Sequence, residues 1–137
     1  MSDPDIWVGL TINGDFNPED ITRRLGLTPT HTRLTGEVIP GGHARGLAST
    51  SVWAIDSDLI IEADTIEPHL AWLFDLLEPR METLSAIVAN GAFAYADCFW
   101  SSRGMSGGPW ITPESMGRLA ALHLPLIISF HVIDKDC

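Results

Sequence analysis

The chain has little of what a secreted, membrane-spanning or nucleic-acid-binding protein needs. It has two cysteines in 137 residues. Cys98 lies in an apolar, strand-like run and Cys137 is the last residue, which argues against a disulfide framework and for a reducing cytoplasm. No apolar run approaches the length of a membrane helix. The longest apolar-rich stretch, Leu122 to Phe130, is interrupted by His123, Pro125 and Ser129. The start, Met1-Ser2-Asp3-Pro4-Asp5, lacks the basic residues that open a secretory signal. Basic residues are scarce throughout. Eight stand against eighteen acidic ones, for a net charge of −10, and seven of the eight are scattered arginines. A phosphate backbone would be repelled, so neither nucleic acid nor membrane is expected as a partner. A hydrophobic fraction of 45% is enough for a core, and the length suits one domain over residues 1–137. The acidity suits solubility, and it equally suits a basic protein partner.

Periodicity supplies the elements. Ile6, Val8, Leu10 and Ile12 alternate with Trp7, Gly9, Thr11 and Asn13, as in a strand with one face in the core. Asn17-Pro18-Glu19-Asp20 opens a short helix that Gly26 can stop in a left-handed cap. Leu27–Ser51 is rich in Thr, Gly, Pro and His, with one short strand expected at Arg33–Ile39. Ser51–Ser57 reads as a strand with Trp53 and Ile55 on one side and Val52 and Ala54 on the other. A long helical segment starts near Ile66 and is kinked or restarted at Pro79, and Asn90-Gly91 ends it. Ala92–Ser101 is a strand with Phe93, Tyr95, Asp97 and Phe99 on one face and small residues on the other. Thr112-Pro113-Glu114 starts a last helix, and Leu124–Ile133 a last strand. The two N-cap-Pro-Glu starts suggest two strand–helix–strand repeats, although such a start is also a common way to begin any helix. The expected fold is α+β: a two-layer sandwich of a four- to five-stranded sheet with helices on one face, related to ferredoxin-like folds.

The pattern Gly14-x-Phe16-x-Pro18-x-x-Ile21-Thr22-x-x-Leu25-Gly26-Leu27-x-Pro29-Thr30 resembles the opening of a bacterial family, domain of unknown function 4279 (DUF4279). Gly36, Trp53, the helix signature His69-Leu70-x-x-Leu73-x-x-Leu76-Leu77-x-Pro79 and the closing helix and strand follow in the same order. The resemblance spans nearly the whole chain. It implies a small stand-alone domain and brings no activity, cofactor or catalytic residue with it.

Three motifs weaken on inspection. Gly104-Met105-Ser106-Gly107-Gly108 has the letters of a nucleophile elbow, but Pro109 prolongs the loop where a helix should begin. Asp56, Asp58, Glu62, Asp64 and Glu67 partly mimic a calcium loop, yet Ile60 and Ile61 stand where a ligand and the turn glycine belong. His31, His43, His69, His123 and His131 show no zinc spacing, and no metal or cofactor is expected. His69, early in the long helix, reads as a structural residue that holds a loop backbone.

The small-residue face of Ala92–Cys98 permits close helix approach, which turns the opposite face outward. Trp7, Trp53, Phe93, Tyr95, Asp97, Phe99 and His131 are then the candidate partner-binding residues, with Asp97 and His131 a conceivable acid–base pair. The competing reading is that this face is partly core, covered by Leu27–Ser51. The functional expectation is a non-enzymatic module that binds a protein partner, as an immunity or inhibitor protein does, or that self-associates. The alternative is a small enzyme or small-molecule binder between loops 33–51 and 103–110, using Asp97, His131 or Ser106.

Overall fold

A computed structural model describes residues 5–37, 50–102 and 108–132, with backbone alone for Ser102, His131 and Val132. Its frame is a five-stranded mixed sheet with helices on one face, an α+β fold. The strands are β1 (Asp5–Gly14), β2 (His31–Arg33), β3 (Ser51–Asp56), β4 (Phe93–Ser102) and β5 (Leu126–Val132), in the order β2-β3-β1-β4-β5. All neighbours are antiparallel except β4 and β5, which are parallel.

The helices begin and end where local chemistry dictates. In α1 (Pro18–Leu25) the Asn17 side chain accepts from the Glu19 N–H at 3.0 Å, and Gly26 closes the helix at φ +70°. The helix α2 (Ile66–Leu77) gives way to a 3-10 turn, Glu78–Arg80, before α3 (Met81–Ala89) resumes. Pro79 supplies no N–H, so the ladder must break there. Arg80 secures the break, its Nε donating to the Leu25 carbonyl at 2.7 Å and its guanidinium to that of Leu76 at 2.8 Å. In α4 (Pro113–Ala121) the Thr112 hydroxyl accepts from the Ser115 N–H at 3.1 Å.

The second strand is earlier and shorter than the sequence suggests. Thr30 already bonds the Ala54 carbonyl, and beyond Arg33 a turn takes over. The Glu37 carboxylate accepts from the Leu34 N–H while the Glu37 N–H donates to the Leu34 carbonyl, and Gly36 sits at φ +94°. Residues 38 and 39 lie outside the described residues. The two strand–helix–strand units also differ. In the first, β3 separates β1 from β2; in the second, β4 and β5 are adjacent. The matching helix starts share a cap, not a strand arrangement.

The core lies between the sheet and the helices. Val8, Leu10 and Ile12 of β1, Ala96 and Cys98 of β4, and Leu70, Leu73 and Leu77 of α2 are all buried there. Trp53 belongs to this side, contrary to the sequence expectation. It is fully buried, and its Nε1 donates to the Thr22 hydroxyl of α1 at 2.9 Å. Pairing with Ile12, a core residue of β1, sends Trp53 inward with Ser51 and Ile55. Alternation separated the two faces of β3 correctly but does not say which one meets helices.

Candidate functional site

The side of the sheet away from the helices is read off the register in rows. Trp7 lies beside Phe99, which lies beside Ser129. Asp56, Gly9, Asp97 and Ile127 form the next row. His31, Ala54, Thr11 and Tyr95 form another, and Arg33, Val52, Asn13 and Phe93 the last. Trp7 and Phe99 stack with centroids 5.6 Å apart, and Phe93 lies tilted against Tyr95 at 5.5 Å. Phe93 is exposed, whereas Trp7, Tyr95, Asp97 and Phe99 are half-buried. Most of the segment expected to cover this face, residues 38–49, lies outside the described residues.

At the centre of the face, Gly9 leaves a gap. It faces Asp56 on one neighbouring strand and Asp97 on the other, so the two aspartates flank one residue without a side chain. Two strand spacings put their backbones roughly 10 Å apart. The gap belongs to a cavity of about 260 Å³ whose walls include Trp7, Thr11, His31 and both aspartates. Burial raises the Asp97 pKa, and the charge of Asp56 adds to the rise. Burial also raises that of Asp56; the Asp58 N–H it accepts from at 3.0 Å lowers it, and the nearby Asp58 charge raises it again. A hollow of about 480 Å³ between α1 and the α3–β4 turn is larger, but its Arg23 is already paired with Asp20. The Gly9 notch is the better candidate because desolvated carboxylates and an aromatic wall converge on it.

The register does not bring Asp97 and His131 together. Asp97 pairs with Ile127 while His131 pairs with Ser101, four residues farther along β5. That sets their backbones roughly 13 Å apart along the strands, too far for an acid–base pair. The neighbour of Asp97 across the notch is Asp56, which the sequence had suggested only as part of a calcium-like run. The signal that could have found the notch was Gly9, a lone glycine inside an alternating strand. Ser106, residues 38–49 and residues 103–107 lie outside the described residues, and with them most of the alternative loop site.

Several other polar side chains have structural partners. His69 Nε2 donates to the Ala63 carbonyl at 3.0 Å, which leaves Nδ1 to accept from the Ser57 hydroxyl at 2.6 Å, and Ser57 Oγ accepts from the Val8 N–H. This serine–histidine pair resembles a nucleophile and its base, but both side chains are fully buried and no substrate carbonyl can reach them. Glu67 accepts from the Ser115 hydroxyl at 2.7 Å and from the Thr112 N–H, tying α2 to the start of α4. Glu78 takes both nitrogens of a bidentate Arg118 at 2.8 Å, a bond that lowers the Glu78 pKa. The Cys98 thiol is buried and unpaired, and burial pushes its pKa up to about 11.

Among the described residues no group of three or more His, Cys, Asp or Glu is placed to hold a metal ion, and no helix is long and apolar enough to cross a membrane. Neither a curated protein nor a solved structure matches the chain. One family model does, "Domain of unknown function (DUF4279)", over residues 5–132. A match across almost the whole chain, from the first residue of β1 to the last of β5, places this protein in the DUF4279 family.

Proposed function

We propose that the chain is a binding module that works in a reducing, intracellular setting and uses the uncovered sheet face to engage a protein partner, seating one basic side chain of that partner in the notch over Gly9. The observation that supports this reading most is the row Asp56–Gly9–Asp97 beside the Trp7–Phe99 stack. Two carboxylates offer charge-assisted hydrogen bonds to an ammonium or guanidinium group, and an adjacent indole adds cation–π attraction. Phe93 and Tyr95 supply the apolar, partly wet surroundings typical of interface anchors. The net charge of −10 draws a basic partner toward the surface. The free thiol of Cys98 suits a compartment where disulfides do not form.

The test is a titration of the labelled protein with an arginine-containing peptide, followed by amide chemical shifts. Shifts concentrated at residues 7–11, 54–56 and 95–99, and abolished in the double variant D56N/D97N, support the proposal. Shifts spread over the helix side, or unchanged in the double variant, refute it. The raised pKa values of two carboxylates lining one cavity favour a second reading, a small-molecule site for an amine. That reading requires free N-acetyl-arginine amide to bind as tightly as the peptide does.

A further inference from the structure

We propose that the β5 edge of the sheet, which no strand covers among the described residues, is a self-association site, at which two copies of this chain pair their β5 strands antiparallel and join their five-stranded sheets into one. The inference is independent of the open-face reading. The two edges of the sheet are built differently. The β2 edge is three residues long and carries His31 and Arg33, the short, polar form that resists pairing. The β5 edge is seven residues long. From Leu119 to Ile133 the chain has no Asp, Glu, Lys or Arg, so two copies of a molecule with net charge −10 meet little local repulsion there.

The backbone of this edge is ready to pair. The Ala96 N–H donates to the Pro125 carbonyl at 2.8 Å, which fixes how the parallel β4–β5 ladder is phased. Ile127 and Ser129 direct their backbone groups toward β4, and Leu126, Ile128 and Phe130 direct theirs to the free edge. The side chains at that edge are apolar and uncovered: Ile127 is 43% exposed, Ile128 41% and Phe130 46%. A strand of this length and composition is a template for another strand.

The spacing of these residues selects a second copy of the same chain as the occupant. Antiparallel pairing centred on Ser129 sets Ile128 opposite Phe130 of the other copy at a hydrogen-bonded position, and symmetry repeats the pair. The two exposed residues Ile128 and Phe130 thereby meet across the seam on one face of the sheet, while Ile127 falls opposite position 131 of the other copy. The two-fold axis stands perpendicular to the sheet, so both Gly9 notches face the same way. Ser129 falls opposite its own copy at a non-hydrogen-bonded position, where Cα atoms lie about 4.5 Å apart. That is within the span of about 4.4–6.8 Å that a disulfide bridges.

The experiment combines sedimentation with cross-linking on the full chain. The wild type is expected at twice the chain mass, and I128K at the monomer mass with an unchanged far-UV circular dichroism spectrum. In a Cys137→Ser background, mild oxidation of S129C should give a disulfide-linked dimer, while S85C, on the exposed side of α3, should not. A wild type that sediments as a monomer at every concentration overturns the proposal, as does cross-linking equal in S129C and S85C. The cysteine arm decides the matter even where I128K fails to fold.

Discussion

Replacing Gly9 by alanine sets general propensity against specific geometry. Propensity favours the change, since alanine restricts the unfolded chain and gains about 0.4–1 kcal/mol where its backbone fits. Geometry opposes it. A Cβ on residue 9 would stand 2.2 Å from the Ile55 carbonyl oxygen, 2.8 Å from Asp56 Cβ and 3.0 Å from Asp56 Cα. Two of these atoms are backbone, locked in the β1–β3 ladder, and cannot swing aside as the tip of a long side chain does. Relief requires the strands to part by roughly 1 Å at the centre of the sheet, an overpacking that costs typically about 1–3 kcal/mol. Net of the entropy gain, the variant should lose about 1–2 kcal/mol, which for a domain of this size is a fall in Tm of about 3–10 °C. Thermal melts followed by far-UV circular dichroism, with urea unfolding followed by tryptophan fluorescence, measure it. A variant as stable as the wild type would show that β1 and β3 are not in such close contact. The same methyl group also occupies the notch, so the peptide-induced shifts at residues 7–11 should disappear in molecules that remain folded.

Three further outcomes follow from individual contacts. Asp97→Asn should stabilise the protein at neutral pH but not at acid pH. The raised folded-state pKa means that wild-type stability from this group is present below the ordinary value of 3.8 and is lost as pH rises through the folded value. Urea unfolding at pH 3 and pH 7 should show the variant's advantage growing with pH; an advantage that is flat or shrinks would contradict the assignment. Thr22→Val leaves the buried Trp53 Nε1 without its acceptor and should cost about 1–2 kcal/mol, read from the urea midpoint, whereas no change would mean the bond contributes nothing. His69→Ala removes a fully buried ring and both its hydrogen bonds, so a loss of about 2–4 kcal/mol is expected, with faster amide exchange at Ala63–Ile66. Exchange unaltered in that segment would rule out the loop-holding role.

Much of the fold was legible because local rules act over short spans. The alternation of Ile6 to Ile12 marked β1, Asn17-Pro18 marked the start of α1, and Pro79 marked the break between α2 and α3. Ala94, Ala96 and Cys98 correctly indicated the side of β4 that helices approach. Longer-range relations were not legible. The inward turn of Trp53 depends on which residue of β1 it faces, and its hydrogen-bond partner lies on α1. The Asp56–Asp97 pairing exists because β1 inserts between β3 and β4, an order that no spacing along the chain encodes. The separation of Asp97 from His131 follows from the β4–β5 register, likewise absent from any local pattern.

The notch is costly to the fold. The close approach of β3 leaves room only for glycine at the middle of β1, but the positions on either side carry aspartates where apolar residues would pack. Both carboxylates are desolvated, and at neutral pH Asp97 also feels the charge of Asp56. Both aspartates lower stability, and both fall on one row of one face. Local rules broken together, without compensation inside the fold, mark functional sites more often than random drift does. A cation between the aspartates supplies the missing compensation, because it favours the ionised forms that burial disfavours. Binding of a cationic group should therefore lower the pKa of Asp97 toward its ordinary range and release a proton at pH values between the ordinary and the raised pKa. Calorimetric titrations in two buffers of different ionisation enthalpy count that proton; equal heats in both, at a pH where Asp97 is partly protonated, would exclude ionic recognition at the notch.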